Sequence, residues 1–216
     1  MVASHKKNSR TQSPQPATKD RILQAAEELF AQKGYEGTRT RDIAEQVGIN
    51  ISTLHFHWKS KEELYTAVYQ NLLSHRARLA EEVFALLAQP ASPGSHWQEN
   101  VQAVVDKMFA FFRLQQYAAR LDSYRILEAT APSGAPQQGQ SLLMTVAERL
   151  RELLPAELGQ RIDVELTILT LNALLREYFT NPANFGRLLG ERRKEVLENR
   201  VKRYVQQSVA RLFDLM

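Results

Sequence analysis

The chain has 216 residues, 44% hydrophobic and 24% charged, with 9 Gly, 8 Pro and no Cys. That length supports a full hydrophobic core. So little Gly and Pro argues against collagen-like, broadly disordered or turn-rich all-β chains, and a chain without Cys has no disulfides, thiolate zinc sites, iron–sulfur clusters or cysteine nucleophiles. The formal net charge of +4 is unevenly placed: residues 1–19 hold Lys6, Lys7, Arg10 and Lys19 and no acid, while the rest of the chain holds 24 basic and 24 acidic side chains. A basic arm on a balanced body suits a polyanionic partner; the alternative is a solvated tail. No apolar run reaches the roughly 18 residues of a membrane span, so no membrane partner is expected and the expected compartment is cytoplasmic. There is no Gly-rich phosphate loop, His-Glu-x-x-His or Gly-x-Ser-x-Gly, and so neither an enzyme nor a cofactor is expected.

Residues 1–17, rich in Ser, Thr, Gln and Pro, read as a disordered basic arm. From there the pattern is helical, and an all-α fold is expected. Thr18 is placed to cap a helix starting at Lys19, with Ile22, Ala26, Leu29 and Phe30 on one face and Gly34 at a left-handed end. Thr38 reads as the N-cap of a second helix that buries Ile43, Ala44 and Val47 and stops at Gly48. Asn50 is placed to cap a third helix over about 51–57. Ser60 caps a long fourth, with Glu62 and Glu63 in the first turn, where the helix dipole favours acids. Its apolar stripe is Leu64, Val68, Leu72, Leu79, Val83 and Leu86. Pro90–Gly94 breaks the chain. Later helices are expected near 96–114, 117–130, 138–153, 159–180 and 185–214. Asp122, Arg125 and Glu128 read as surface pairs, and so do Glu198 and Lys202.

The informative stretch is Thr40–Trp58. A helix-turn-helix needs a small residue where two helices cross, a residue tolerant of positive φ in the turn, and apolar side chains to hold the angle. Ala44, Gly48, and Ile43, Val47, Ile49 and Leu54 meet those needs in that order. Ile22-Leu-Gln-Ala-Ala-Glu-Glu-Leu-Phe30, Gly34-Tyr-Glu-Gly-Thr38, Arg41-Asp-Ile-Ala44, Val47-Gly-Ile49, Thr53-Leu54 and Ser60-Lys-Glu-Glu-Leu64 follow one another, and together residues 19–68 resemble the DNA-binding domain of TetR-family transcriptional regulators. The family usually has Gly, Tyr, Tyr and Phe where this chain has Ser52, His55, His57 and Trp58. Leu54 and Trp58 still supply apolar bulk, and Trp58 reads as core.

The resemblance implies three parts: the arm over 1–17, a three-helix DNA-binding domain over 18–64 with its helix-turn-helix at about 39–58, and a helical regulatory, ligand-binding and dimerisation domain over 65–216. It implies a repressor on double-stranded DNA. A helix fits the major groove and presents its first turns to base edges, which makes Asn50, Ile51, Ser52, Thr53 and Phe56 candidates for base contact. His55 and His57 stand where the family's tyrosines take phosphates. Two residues apart on a helix they face different directions, which does not suit a metal pair. Thr38, Arg39, Thr40 and Arg41 at the start of the second helix, with Lys59 and Lys61, are the other candidates.

One short helix reads only a few base pairs, so a homodimer on a palindromic operator is expected. Residues 162–175 are apolar nearly all round and need cover on both sides. With the stripe on the last helix they give a candidate dimer interface of Ile162, Leu166, Leu169, Ala173, Leu197, Val201, Val205, Val209 and Leu212. By analogy with the family, the middle helices hold a small-molecule effector; Met108, Phe112, Tyr117, Tyr124 and Leu143 are candidates for its apolar wall and Asn172 and Arg176 for its polar contacts. The alternative is an architectural or cell-division factor on the same fold with no ligand control. A protonated imidazole holds phosphate better than a neutral one. Operator affinity is therefore expected to rise as pH falls from about 8 to 5.5, and to lose most of that dependence in His55→Gln/His57→Gln, as read by fluorescence anisotropy.

Overall fold

The computed structural model describes residues 17–88, 97–127, 134–154, 156, 160 and 162–214. Residues 1–16 of the basic arm, the Pro90–Gly94 break, Glu128 and the side chain of Leu212 lie outside them. The described residues are helical throughout and contain no strand: α1 Thr18–Gly37, α2 Thr40–Val47, α3 Ile51–His57, α4 Lys61–Leu87, α5 Trp97–Leu114, α6 Ala118–Leu127, α7 Gly134–Leu153, α8 Val164–Thr180, α9 Pro182–Leu189 and α10 Lys194–Asp214.

α1 buries Ile22, Ala26, Leu29 and Phe30. It starts one residue earlier than expected. Thr18 is already helical, and Ala17 holds the cap position without a side-chain bond, while Asp20 supplies the acid that the first turn favours. Gly34 has positive φ (73°) but an extended ψ (−179°), so it kinks α1 instead of ending it. Thr38 is not the cap of α2. It is buried, with its hydroxyl 2.7 Å from the carbonyl of Gly34 and 3.1 Å from that of Leu29. Arg39 takes the cap position of α2 with no side-chain bond.

The turn between α2 and α3 forms as its residues dictate. Gly48 sits at φ 75° and ψ 37°, where a side chain would be strained, and its N–H donates back to the end of α2. The Arg21 guanidinium on α1 donates to the Val47 carbonyl at 2.6 Å, fastening the last turn of α2. The Asn50 side chain accepts from the Thr53 amide at 2.7 Å. Ser60 accepts from the Glu63 amide at 3.0 Å, and the Glu63 carboxylate accepts from the Lys59 amide at 2.8 Å, close to a capping box.

α1 packs on α2, α4 and α6; α4 also packs on α5 and α7; α6 and α7 pack on α8; α10 packs on α5. No break marks the expected boundary at 64/65, because α4 runs straight through it. One core joins Ile22 and Phe30 to Leu72, Phe109, Leu175 and Val205. The α4 stripe is buried from Leu64 to Leu72 and only half-buried at Leu79, Val83 and Leu86. Leu79 and Val83 face a cavity.

Several long-range expectations are corrected. α8 starts at Val164, capped by Asp163, which accepts from the Leu166 amide at 2.8 Å. The last helix is two helices, because Gly190 takes the left-handed region (φ 68°) after α9. Asp122 is buried and pairs with Arg76 on α4. Glu198 and Lys202 do not pair with each other: Glu198 accepts from the Arg113 Nε at 2.7 Å, and Lys202 meets Asp106 at 2.7 Å. Both partners lie on α5, so the α10 stripe turns inward, and Leu197, Val201 and Val205 belong to the core of the single chain.

Thr38→Val would leave two buried carbonyls without their donor. It is expected to lower the unfolding free energy by about 1–3 kcal/mol in urea denaturation, with little change in the slope.

Candidate nucleic-acid interface and internal cavity

α3 is held from behind and open in front. Leu54 is buried and Trp58, just past its end, is 7% exposed, with its indole face covered by the Lys19 ammonium at 4.7 Å. On the outer side Asn50, Ser52, His55 and Phe56 are exposed and Ile51, Thr53 and His57 half-buried. Phe56 is 84% exposed, with its ring edge-on to His57 at 5.3 Å between centroids. A phenyl ring held in water by a helix gains nothing for the fold, and an apolar side chain on that face can meet thymine methyls. The Asn50 oxygen is committed to the Thr53 amide and hydroxyl, at 2.7 and 2.9 Å. Its –NH2 is the group with which it can read a base.

The phosphate candidates divide. Arg39, Arg41 and Lys59 are exposed, and Arg39 leaves the first amides of α2 without a side-chain cap, an arrangement suited to an anion. Thr40 is half-buried at that helix start. Two candidates are corrected. Thr38 is 1% exposed and cannot reach DNA. Lys61 turns inward, donating to the carbonyls of Tyr35 (2.9 Å) and Thr38 (3.3 Å) with the Tyr35 ring beneath it at 4.1 Å, and so holds the end of α1. Sequence reasoning missed Lys19 and Arg21, which brace α3 and α2 from α1; no local pattern marks such distant partners. Among the described residues no three acids or histidines stand close enough to hold a metal.

Away from this face, α4, α5, α7 and α8 line a partly open cavity of about 260 Å³. Met108, Phe112, Leu143 and Asn172, four of the candidates for effector contact, line it, and so do Arg76 and Thr167, which sequence reasoning did not single out. Ile162 and Val209, expected at a dimer interface, line it too. Tyr117, Tyr124 and Arg176 do not belong to that wall. The Tyr124 hydroxyl donates to the Gln32 carbonyl on α1 at 3.1 Å. Burial, and then the nearby Glu28 carboxylate on α1, push the Tyr117 phenol above its ordinary range. Arg176 lies one turn beyond Asn172 on α8, past the cavity. Leu166, Leu169 and Ala173 share one outer face of α8 and are exposed, the two leucines at 59% and 53%.

Residues 22–68 match the family model described as bacterial regulatory proteins, tetR family. Similar proteins include the biofilm operon icaADBC HTH-type negative transcriptional regulator IcaR of Staphylococcus epidermidis, 39% identical over 57 residues, which are 26% of this chain and 31% of IcaR. The probable HTH-type transcriptional regulator YttP of Bacillus subtilis is 24% identical over 179 residues, 80% of this chain and 82% of YttP. The chain thus matches less than a third of IcaR but most of YttP. Among solved structures, a TetR-like transcriptional regulator from Rhodococcus sp. RHA1 superposes with a TM-score of 0.59 at 18% identity, covering 92% of this chain and 99% of that one. This last likeness carries the fold alone.

Because Phe56 contributes little to the core, Phe56→Ala is expected to leave the melting temperature within about 1 °C while weakening specific DNA binding roughly tenfold or more, measured by scanning calorimetry and anisotropy on one preparation.

Proposed function

Since this chain belongs to the TetR family of bacterial transcriptional regulators, we propose that it is a ligand-responsive repressor that binds a palindromic operator as a homodimer. The observation that carries the reading is the outward face of α3, with Asn50, Ser52, His55 and Phe56 exposed immediately after the Gly48 turn. In this reading α3 enters the major groove. Asn50, Ile51, Ser52, Thr53 and Phe56 read bases, and His55, His57, Arg39, Arg41, Lys59 and the α2 amides hold phosphates. Repression is supported by IcaR, which is named a negative regulator.

Dimerisation falls to α8. Leu166, Leu169 and Ala173 present an apolar strip left exposed among the described residues, and large exposed apolar patches mark interaction sites. The cavity favours ligand control over an architectural role, since the latter calls for a well-packed centre. An effector would act by preferring an arrangement in which the two recognition helices are wrongly spaced; a differential affinity worth about 1–3 kcal/mol is sufficient. α4 forms part of the cavity wall and begins beside α3, so it is the element through which the two sites communicate. No helix among the described residues is long and apolar enough to cross a membrane, in keeping with a cytoplasmic regulator.

Selection of bound duplexes from a random pool at two salt concentrations tests the proposal. The expected result is a two-fold symmetric consensus, with a dimer by light scattering. Sequence-indifferent binding that vanishes with salt would leave only phosphate contacts and overturn it.

A further inference from the structure

We propose that the cavity takes an uncharged, largely aliphatic molecule of about ten to eleven non-hydrogen atoms with one hydrogen-bonding head, an inference that rests on the ligand-controlled reading above. The size follows from the volume: an apolar cavity of about 150 Å³ holds benzene, with six non-hydrogen atoms, so about 260 Å³ holds roughly ten to eleven. The chemistry follows from the wall, whose described residues are apolar apart from Arg76, Thr167 and Asn172.

Among the described residues of that wall Arg76 is the one ionisable group, and its charge is already answered. Its guanidinium engages both carboxylate oxygens of Asp122, one through Nη1 at 3.2 Å and the other through Nη2. Asp122 is 3% exposed, so bulk solvent cannot take the place of Arg76. An anionic ligand would have to draw Arg76 away and leave Asp122 buried without its partner, a change that burial strongly disfavours. A cationic ligand would find no acid among the described residues of the wall. The other cation of this region, Arg125, lies over the Tyr69 ring at 5.2 Å and is not part of the lining. A neutral ligand makes neither demand. Its head has Asn172, which both donates and accepts, and the Thr167 hydroxyl, which donates to the Asp163 carbonyl at 2.8 Å and is left to accept, both on α8.

Calorimetric titration of the full chain with 1-decanol, decanoate and decyltrimethylammonium at pH 7.5, below their micelle concentrations, tests the assignment. The expected result is one 1-decanol per chain, with both charged probes at least roughly tenfold weaker. Asp122→Asn removes the answering charge at nearly constant shape, so decanoate should gain roughly tenfold relative to 1-decanol; Asn172→Ala should weaken 1-decanol several-fold. If Asp122→Asn fails to fold, the wild-type series decides alone. Decanoate binding as tightly as 1-decanol to the wild type, or no binding of 1-decanol up to its solubility limit, would overturn the proposal. The operator selection above needs no effector, so the two readings fail separately. A selected operator with no preference for the neutral probe removes only this inference, whereas a bound neutral probe with no selected operator removes only the regulator.

Discussion

The burial of α1 is the constraint on which the rest of the structure depends. Its inner face, Ile22, Ala26, Leu29 and Phe30, lies in the core at 0–6% exposure, and the helix packs on α2, α4 and α6 together. Phe30 meets Tyr65 edge-on at 5.0 Å between centroids, so α1 and α4 are set against each other by a close aromatic contact. The same helix sends Arg21 to the end of α2, and Thr38 closes its own kinked end. The presentation of α3 is thus decided one helix away from it. α2 and α3 are too short to hold a helical conformation alone. They take their geometry from packing and from bonds made by residues twenty or more positions earlier.

A second set of contacts joins that frame to the cavity. α6 touches α1 on one side and is tied to α4 on the other by Asp122 and Arg76, and Arg76 also faces the cavity. Tyr124 reaches across to the Gln32 carbonyl. Glu27, on the same stretch of α1, has its carboxyl raised by burial, with the nearby His75 of α4 opposing the shift. A polar seam therefore runs between α1, α4 and α6 beside an apolar hollow. Polar contacts are directional and lose their value over small displacements, whereas apolar packing tolerates sliding.

What was legible in the sequence was mostly local. The Asn50 and Ser60 caps, the Gly48 turn and the burial of Leu54 each depend on neighbours within four residues, and each formed as read. Thr38 misled because a threonine ahead of a helix is a good cap in isolation, whereas here Gly34 and Leu29 lie closer to its hydroxyl than any amide of α2 that it could serve. Asp122 at helical spacing from Arg125 looked like half of a surface pair; its true partner stands 46 residues earlier. The stripe of Leu197, Val201 and Val205 was visible, but periodicity says only that a face is apolar and not what it meets. The bonds from Glu198 and Lys202 to α5 decide that. Gly190 was passed over because the helical pattern resumes soon after it. For the candidate site, the exposed base-reading residues followed from position on α3, while the inward turn of Lys61 depended on carbonyls 23 and 26 residues away.

The unbroken course of α4 has a consequence for how this chain comes apart. Residues that a sequence comparison assigns to one module and those beyond it share one helix and one core. Tyr69 and Leu72, just past the matched segment, are 1% and 2% exposed. A cut at its end would bare them and remove α6 from the flank of α1. Melting should accordingly be a single cooperative event and not two, and exchange of the N-terminal part between relatives works only if the seam is cut after the shared core, carrying the first half of α4 and a compatible α6 surface with it. The end of the matched segment falls inside a helix and inside the core.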